Sequence, residues 1–322
     1  MTKVAVAQLA LQVGRAEENR AAASAAVAEA AAAGARLVVL PELVNSGYVF
    51  SGAAEARASA EPADGRTLSE WARLARAHDL VIVGGFCELA EGRVHNSQAL
   101  VDAGGLRAVY RKVHLWDAEQ DVFVPGEGPA PVVDTAIGRV AMMVCYDLEF
   151  PEWVRSVGLA GADVLAVSTN WPASPVPAGE RPVLVAHAQV AAASNRMFVA
   201  VADRCSAERG VGWVSGSSIM GPDGYPLAGP VLQDRPAVLI ADCDLSSARD
   251  KATGPRNDVY RDRRPDLYAT RDLYATKEDL YATRESSPCA MREPDLCVNE
   301  AQDRYAAQER DLHVAEEAAA RS

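Results

Sequence analysis

The 322-residue chain predicts an α/β protein built as a four-layer α-β-β-α sandwich, and three observations lead there. Short β-branched runs alternate with Ala-rich or amphipathic stretches of helical length, the grammar of sheets flanked by helices. The pattern occurs twice, on either side of a hairpin-like middle section, so two sheets are expected to pack face to face with helices outside. Hydrophobic residues make up 49% of the chain against 24% charged, enough apolar material for a large core.

In chain order, residues 4–8 read as a strand and 15–33 as an Ala-rich helix closed by Gly34 at its C-cap. Residues 37–40 form a second buried strand that runs into Pro41 and Glu42. A loop containing Asn45, Gly47 and Gly52 leads to a helix over 68–78 and a strand over 80–84. Residues 97–102 and 108–112, joined by Ala103-Gly104-Gly105, make a hairpin that enters His114, Leu115 and Trp116. The second half opens with the apolar run Val140 to Val144, which delivers Cys145 where polar residues begin. A helix over 151–160 with Pro151 in its first turn, a strand over 162–170, a helix over 182–196 and a strand over 198–203 come next. A late hairpin (217–220 and 225–228, around Gly221-Pro222-Asp223-Gly224) and a strand over 237–242 complete a domain expected to span residues 1–265.

Residues 266–322 differ. The pentapeptide Asp-Leu-Tyr-Ala-Thr occurs at 266–270, 272–276 and 279–283, units too short to bury a face, and charge and alanine dominate residues 284–322. This stretch is expected to be a low-complexity tail without chemistry of its own. The alternative is a helix for a partner or for self-association, lined by Leu267, Leu273 and Leu280.

A net charge of −12 and a pI near 5.0 argue against a nucleic-acid binder, and no local basic patch offsets them. The six cysteines show no spacing of a zinc site or disulfide framework and suit a reducing compartment. The N-terminal MTKVAVAQLALQ enters a strand directly, without the apolar core of a signal peptide, and no run reaches membrane-spanning length. A cytoplasmic protein with no membrane or nucleic-acid partner is the expectation.

Cys145 stands at a strand end, where a sheet holds a side chain rigidly and loops form a pocket around it. A thiol with an ordinary pKa of about 8.5 needs a base and a positive neighbour to attack a carbonyl or nitrile carbon. None of His78, His95, His114, His187 and His313 sits in a protease-like context. Two other groups stand at ends of strands taken to be inner ones: Glu42 as general base, and Lys112, which would stabilise the thiolate and the oxyanion together with the backbone N–H of Tyr146. No metal or organic cofactor is required.

The blocks LVVLPEL (37–43), YRKVHLW (110–116) and MMVCYDLEFPE (142–152) together resemble the three signatures of the nitrilase superfamily of carbon–nitrogen hydrolases. The resemblance implies the same sandwich, a triad of Glu42, Lys112 and Cys145, and a second glutamate that positions Lys112 and the substrate, matched by Glu119 in DAEQDVFVPG. True nitrilases follow the cysteine with Trp-Glu. The Tyr146-Asp147 here looks like the amidase branches, closest to amidases of short aliphatic amides, including the 5-aminovaleramide type. GWVSGSSIMGPDGYPLA and RNDVYRDRRPDLY share that group's layout, whereas the repeated tail departs from it.

By the same layout Asn170 and Trp171 face the pocket, with Tyr48 a similar candidate and the proline-rich loop 174–182 beside the mouth. Asp147 and Glu149 could attract an amine on the substrate, although structural hydrogen bonding is the favoured role for both. The expected reaction is hydrolysis of a small aliphatic amide, in a homodimer or larger homo-oligomer formed through the helix at 151–160. N-carbamoyl compounds and nitriles remain alternatives for the same triad. A silent scaffold working through its tail is the alternative from another class.

Overall fold

β1 (Thr2–Ala10) is buried from Val4 to Leu9, because both of its faces are covered, and the first sheet assembles around it. The computed structural model describes residues 1–268. After β1, α1 (Ala16–Ala32) buries Ala23, Ala26, Val27 and Ala30 and is left through Gly34, whose φ of 87° suits a residue without a Cβ. β2 (Leu37–Val39), α2 (Ala53–Ser59) and α3 (Arg66–His78) follow, and α3 turns Leu68, Trp71, Leu74 and Ala75 inward. β3 (Val81–Ala90), β4 (Arg93–Asp102) and β5 (Gly105–Arg111) form an antiparallel meander, after which comes the one-turn α4 (Glu119–Val122).

The second half runs through β6 (Val132–Thr135), β7 (Gly138–Val144), a 3₁₀ turn over Cys145–Glu149 and α5 (Pro151–Leu159). β8 (Val164–Ser168), α6 (Val183–Asn195) and β9 (Phe198–Ala202) come next. The short β10 (Arg204–Cys205), β11 (Ser218–Met220), β12 (Pro226–Ala228) and β13 (Ala237–Cys243) complete the unit. Met1–Asp262 close on themselves as one body. Separately, α7 (Pro265–Tyr268) is described, with Arg264 paired to Asp266 at 2.7 Å. The second and third pentapeptide repeats, Cys289, Cys297 and His313 lie outside the described residues.

One sheet has the order β10-β1-β2-β3-β4-β5, with β13 antiparallel to β1; the other has the order β12-β11-β9-β8-β7-β6. Val4, Val6, Leu37, Val39, Val81 and Val83 of the first sheet share a core with Met142, Val144, Leu165 and Val167 of the second. The alternate residues Ala5, Ala7, Val38 and Ile82 instead meet Val27, Leu68 and Trp71 of α1 and α3. Val154, Val157, Val185 and Ala188 carry the core outward under α5 and α6. These are the four layers of an α-β-β-α sandwich. No helix among the described residues is long and apolar enough to cross a membrane.

The sequence expectation did not include α2, β6 or β10, and it differs in further details. The strand placed at 80–84 continues to Ala90 and turns at Glu91-Gly92, both at positive φ, into a strand that starts at Arg93. The sequence reading began that strand only at Ser97: His95 and Asn96, polar like the Ser97 and Gln98 that follow, hid its first part, yet all four are buried. Lys112 follows β5, which is an edge strand rather than an inner one. The strand expected at 162–170 ends at Ser168, which leaves Asn170 and Trp171 in the segment beyond it.

Two adjacent glycines let β3 pass between layers. A Cβ at Gly84 would stand 2.6 Å from Trp71, and one at Gly85 would stand 2.5 Å from the Glu42 Cα. Gly85→Ala is therefore expected to cost about 1–3 kcal/mol by overpacking, read as a lowered denaturant midpoint. An unchanged midpoint would contradict the close approach.

Candidate active site

Glu42, Lys112 and Glu119 come from three separate segments and meet at one buried point. β2 ends at Val39, and the chain turns through Pro41 and Glu42 into Leu43, whose φ is 53°. The turn is pinned by the Val44 N–H on the Gly85 carbonyl (2.9 Å) and by Asn170 Nδ2 on the Glu42 carbonyl (3.1 Å). Lys112, fully buried just past β5, donates from Nζ to Glu42 Oε1 at 2.9 Å and to Glu119 Oε1 at 2.8 Å. Glu119 opens α4 and is fixed through Oε2 by the Trp116 N–H at 2.9 Å.

Sequence reasoning missed Asn96. Its Nδ2 donates to the same two oxygens that Lys112 uses, Glu42 Oε1 at 2.6 Å and Glu119 Oε1 at 3.1 Å. A buried amide and a buried ammonium thus hold the two carboxylates together, and the run of polar residues inside β4 was the available signal.

Cys145 lies where β7 becomes the 3₁₀ turn, at φ 48°, a left-handed conformation that a non-glycine residue adopts only at a cost of about 1–3 kcal/mol. Such a strand-to-turn elbow lifts the side chain out of the sheet and puts the Tyr146 N–H in a first turn that supplies no acceptor for it. Asp147 secures the elbow. Fully buried, it accepts from the Val144 N–H (3.1 Å), the Tyr110 hydroxyl (2.8 Å) and the His114 N–H (3.1 Å), while His114 Nδ1 lies 2.7 Å from it. Through Asp147 the turn bearing Cys145 is tied to the segment directly after Lys112. Its bonds account for it as a structural carboxylate, whereas the half-buried Glu149 has no such set.

Burial is the largest influence on both ends of the cluster. It raises Glu42 to about 7, with Glu119 pushing the same way and Lys112 and Asn96 opposing. It also holds the Cys145 thiol well above the ordinary range, with Glu42 and Glu119 adding to the shift, while Lys112 and the Asn170 backbone N–H work against it. A protonated thiol is the form for which the sequence reading assigned Glu42 as the base. Two carboxylates surround the one ammonium, so the thiol keeps its proton at neutral pH. Glu42 Oε2, Asn96 Oδ1, Asn170 Oδ1 and Trp171 Nε1 are buried without a hydrogen-bond partner among the described residues, unmet polar capacity gathered around one point.

The remaining sequence candidates fall around this point. The half-buried Tyr48 turns its hydroxyl toward the Glu119 carboxylate and lies near enough to Glu42 and Cys145 to feel both. Tyr146 is half-buried with its ring edge-on to Phe150 at 5.0 Å. Trp171 is buried, and its backbone N–H reaches Asp203 Oδ1 at 3.1 Å. Asp203, also missed, takes the backbone N–H groups of Trp171, Arg204 (2.9 Å) and Gly216 (2.8 Å). Among the described residues, no group of three or more His, Cys, Asp or Glu side chains is placed to hold a metal ion.

Comparison with known proteins gives a consistent set of likenesses. The carbon–nitrogen hydrolase family model matches residues 3–253. A Pyrococcus abyssi protein named nitrilase is 33% identical over 269 residues, which cover 83% of this chain and 99% of the relative. An (R)-stereoselective amidase of a Pseudomonas species is 36% identical over 192 residues, 59% of this chain and 67% of the relative. Among solved structures, the NitN amidase of Nesterenkonia sp. AN1 superposes with a TM-score of 0.69 at 28% identity, covering 85% of this chain and 100% of that one. Variants of that amidase show Michael addition of acrylamide at the active site cysteine and a complex with butyramide.

Asp203 gives the site a measurable pH signature. Burial raises it to about 6, backbone donors alone not being enough to offset the loss of water. The folded chain therefore holds this proton more tightly than the unfolded chain does. The stability tied to it is complete below about pH 4 and is lost as pH rises through about 6. Asp203→Asn is expected to remove about 3 kcal/mol of that decline between these limits, measured by denaturant unfolding as a function of pH. Curves that stay parallel for the native chain and the variant would contradict it.

Proposed function

The chain belongs to the carbon–nitrogen hydrolase family, and from that premise we propose that it is a cysteine-dependent amidase that converts a small aliphatic carboxamide to a carboxylic acid and ammonia. One observation carries the proposal: a fully buried Lys112 bridges Glu42 and Glu119, and Glu42, raised to about 7, keeps one carboxylate oxygen without a partner among the described residues. A base poised near neutral pH with a free lone pair is what a protonated thiol requires.

In the proposed reaction the Cys145 sulfur attacks the amide carbon as Glu42 takes the thiol proton, and the carbonyl electron pair moves onto oxygen. The Lys112 ammonium and the Tyr146 N–H hold that oxyanion. Its collapse breaks the C–N bond, and Glu42 returns the proton to the leaving nitrogen as ammonia departs. Water then attacks the thioester with Glu42 again as base, and breakage of the C–S bond releases the acid and restores the thiol. Asn96 and Glu119 do not react; they keep Lys112 and Glu42 in register.

Tyr48, Asn170 and Trp171 are proposed to contact the acyl part of the substrate. Their proximity to the cluster supports this, as does the butyramide complex of the Nesterenkonia amidase. The name of the Pyrococcus relative keeps nitriles as a second substrate class to be tested. The domain boundary near residue 265, a cytoplasmic location and a homo-oligomeric state belong to the same proposal. For the last, Leu159 of α5 and Val183 and Val190 of α6 leave an exposed apolar outer surface.

Ammonia release from short amides, ω-amino amides, N-carbamoyl amino acids and nitriles, compared between the native chain and Cys145→Ala, tests the proposal. Release from amides that disappears in the variant is expected, a loss of about 10⁴-fold or more for a nucleophile. Turnover confined to nitriles or carbamoyl compounds would overturn the substrate class, and amide turnover that survives Cys145→Ala would overturn the mechanism.

A further inference from the structure

Behind Tyr48 lies a buried carboxylate that the proposed chemistry does not use. Glu208 is fully buried, and its two oxygens fasten three segments to one another. Oε1 accepts the Val13 N–H at 2.7 Å, while Oε2 accepts the N–H groups of Tyr48 (2.9 Å) and Val49 (2.8 Å) and meets Arg204 Nη1 at 3.0 Å. The packing admits only glycine beside it. Gly47 has φ 77°, and a Cβ there would stand 2.4 Å from the Val13 nitrogen and 2.5 Å from Glu208 Oε1.

The contacts return to Tyr48 by a second route. Arg204, also fully buried, is anchored on the Leu11 carbonyl and lays its guanidinium over the Trp213 ring at 4.4 Å. Trp213 meets the Tyr48 ring edge-on at 5.7 Å. The strand-like segment around Trp213 is in turn joined to Trp171 and its neighbours, with the Val214 N–H on the Trp171 carbonyl and the Ala173 N–H on the Gly212 carbonyl, each at 2.9 Å. One ion pair thus holds the backbone of Tyr48, and through Trp213 it holds the ring as well. Breaking such a pair leaves a buried charge uncompensated, so the loops cannot drift without a large cost.

We infer that Glu208 is a positioning residue that fixes Tyr48 and Trp213 as one wall of the acyl pocket and thereby sets which acyl chain lengths the site accepts. This rests on the amidase reading and on Tyr48 facing the substrate. Glu208 touches no reacting atom. Its loss frees the wall and leaves Glu42, Lys112, Glu119 and Cys145 in place.

The test compares the full native chain with Glu208→Gln on straight-chain amides from acetamide to hexanamide, with kcat and KM resolved separately. The glutamine keeps the shape but presents an N–H₂ to donors that need an acceptor. KM for butyramide and longer amides is expected to rise about tenfold, while acetamide changes by less than about twofold in kcat and KM, the pattern of lost binding rather than lost chemistry. Tyr48→Ala should also flatten the chain-length preference, read as the ratio of kcat/KM for butyramide to that for acetamide within the variant, and the double variant should flatten that ratio little further. An equal fall in kcat at every chain length, additive losses in the double variant or an unchanged profile would each overturn the inference. If Glu208→Gln does not fold, Trp213→Phe, which cuts the same chain of contacts at its other end, decides the matter by the same profile. A native chain that hydrolyses no amide would defeat the amidase reading and this inference with it. A native chain-length preference that both variants leave intact would defeat this inference alone.

Discussion

A lysine ammonium with no access to water is the constraint on which the rest of this structure depends. Removing such a charge from solvent costs several kcal/mol unless counter-charges and hydrogen bonds replace the lost water. Lys112 obtains them from Glu42 and Glu119, at 2.9 and 2.8 Å. That solution creates a new problem, because two carboxylates on one ammonium leave an excess of negative charge in the same buried space. Asn96, donating to both, relieves part of it. Burial first, and the remaining negative charge second, give a Glu42 that binds its proton near neutrality and a Cys145 that is reluctant to lose one.

The fold can be understood as the scaffold that enforces this balance. Glu42 is set by a turn that presses on Gly85 of the neighbouring strand, where a single added carbon would displace it. Cys145 is set by an elbow whose strain is held by Asp147, and Asp147 also ties down the segment that carries Lys112. Asp203, through three backbone N–H groups, fixes the segments that hold Trp171 and Gly216. None of these supporting groups needs to meet a substrate. Each converts the rigidity of a sheet into the position of one reactive atom, which is why the cluster sits at strand ends rather than on a long loop.

Much of this was legible in the sequence. Period-two and near-continuous apolar runs located the strands, and the alternation with Ala-rich helices gave the two-sheet, four-layer order. Cys145 was visible because the run Val140 to Val144 stops at it. Glu42 and Lys112 were visible as unusual charges near strand ends, even though β5 proved to be an edge strand. What stayed hidden depends on distance along the chain. Asn96 and Glu42 are 54 residues apart, and Glu208 and Val13 are 195 apart. No local pattern announces a polar side chain whose partners arrive only when the sheets close. His95 and Asn96 misled for the same reason: they read as lying outside the strand, and their hydrogen-bond partners come from other segments.

The electrostatic balance also defines what the proposed reaction demands. With the thiol held in its protonated form, sulfur can attack only as a base removes its proton, and Glu42 is the group with both the free oxygen and the affinity to do so. The most direct test is the pH dependence of kcat/KM for a short amide in the native chain and in Glu42→Gln. The native rate should rise with pH through about 7, as Glu42 ionises, and the variant should lose the rate together with that rise. A rise centred near the ordinary thiol value of about 8.5 that persists in Glu42→Gln would contradict this balance, since the sulfur would then be titrating on its own.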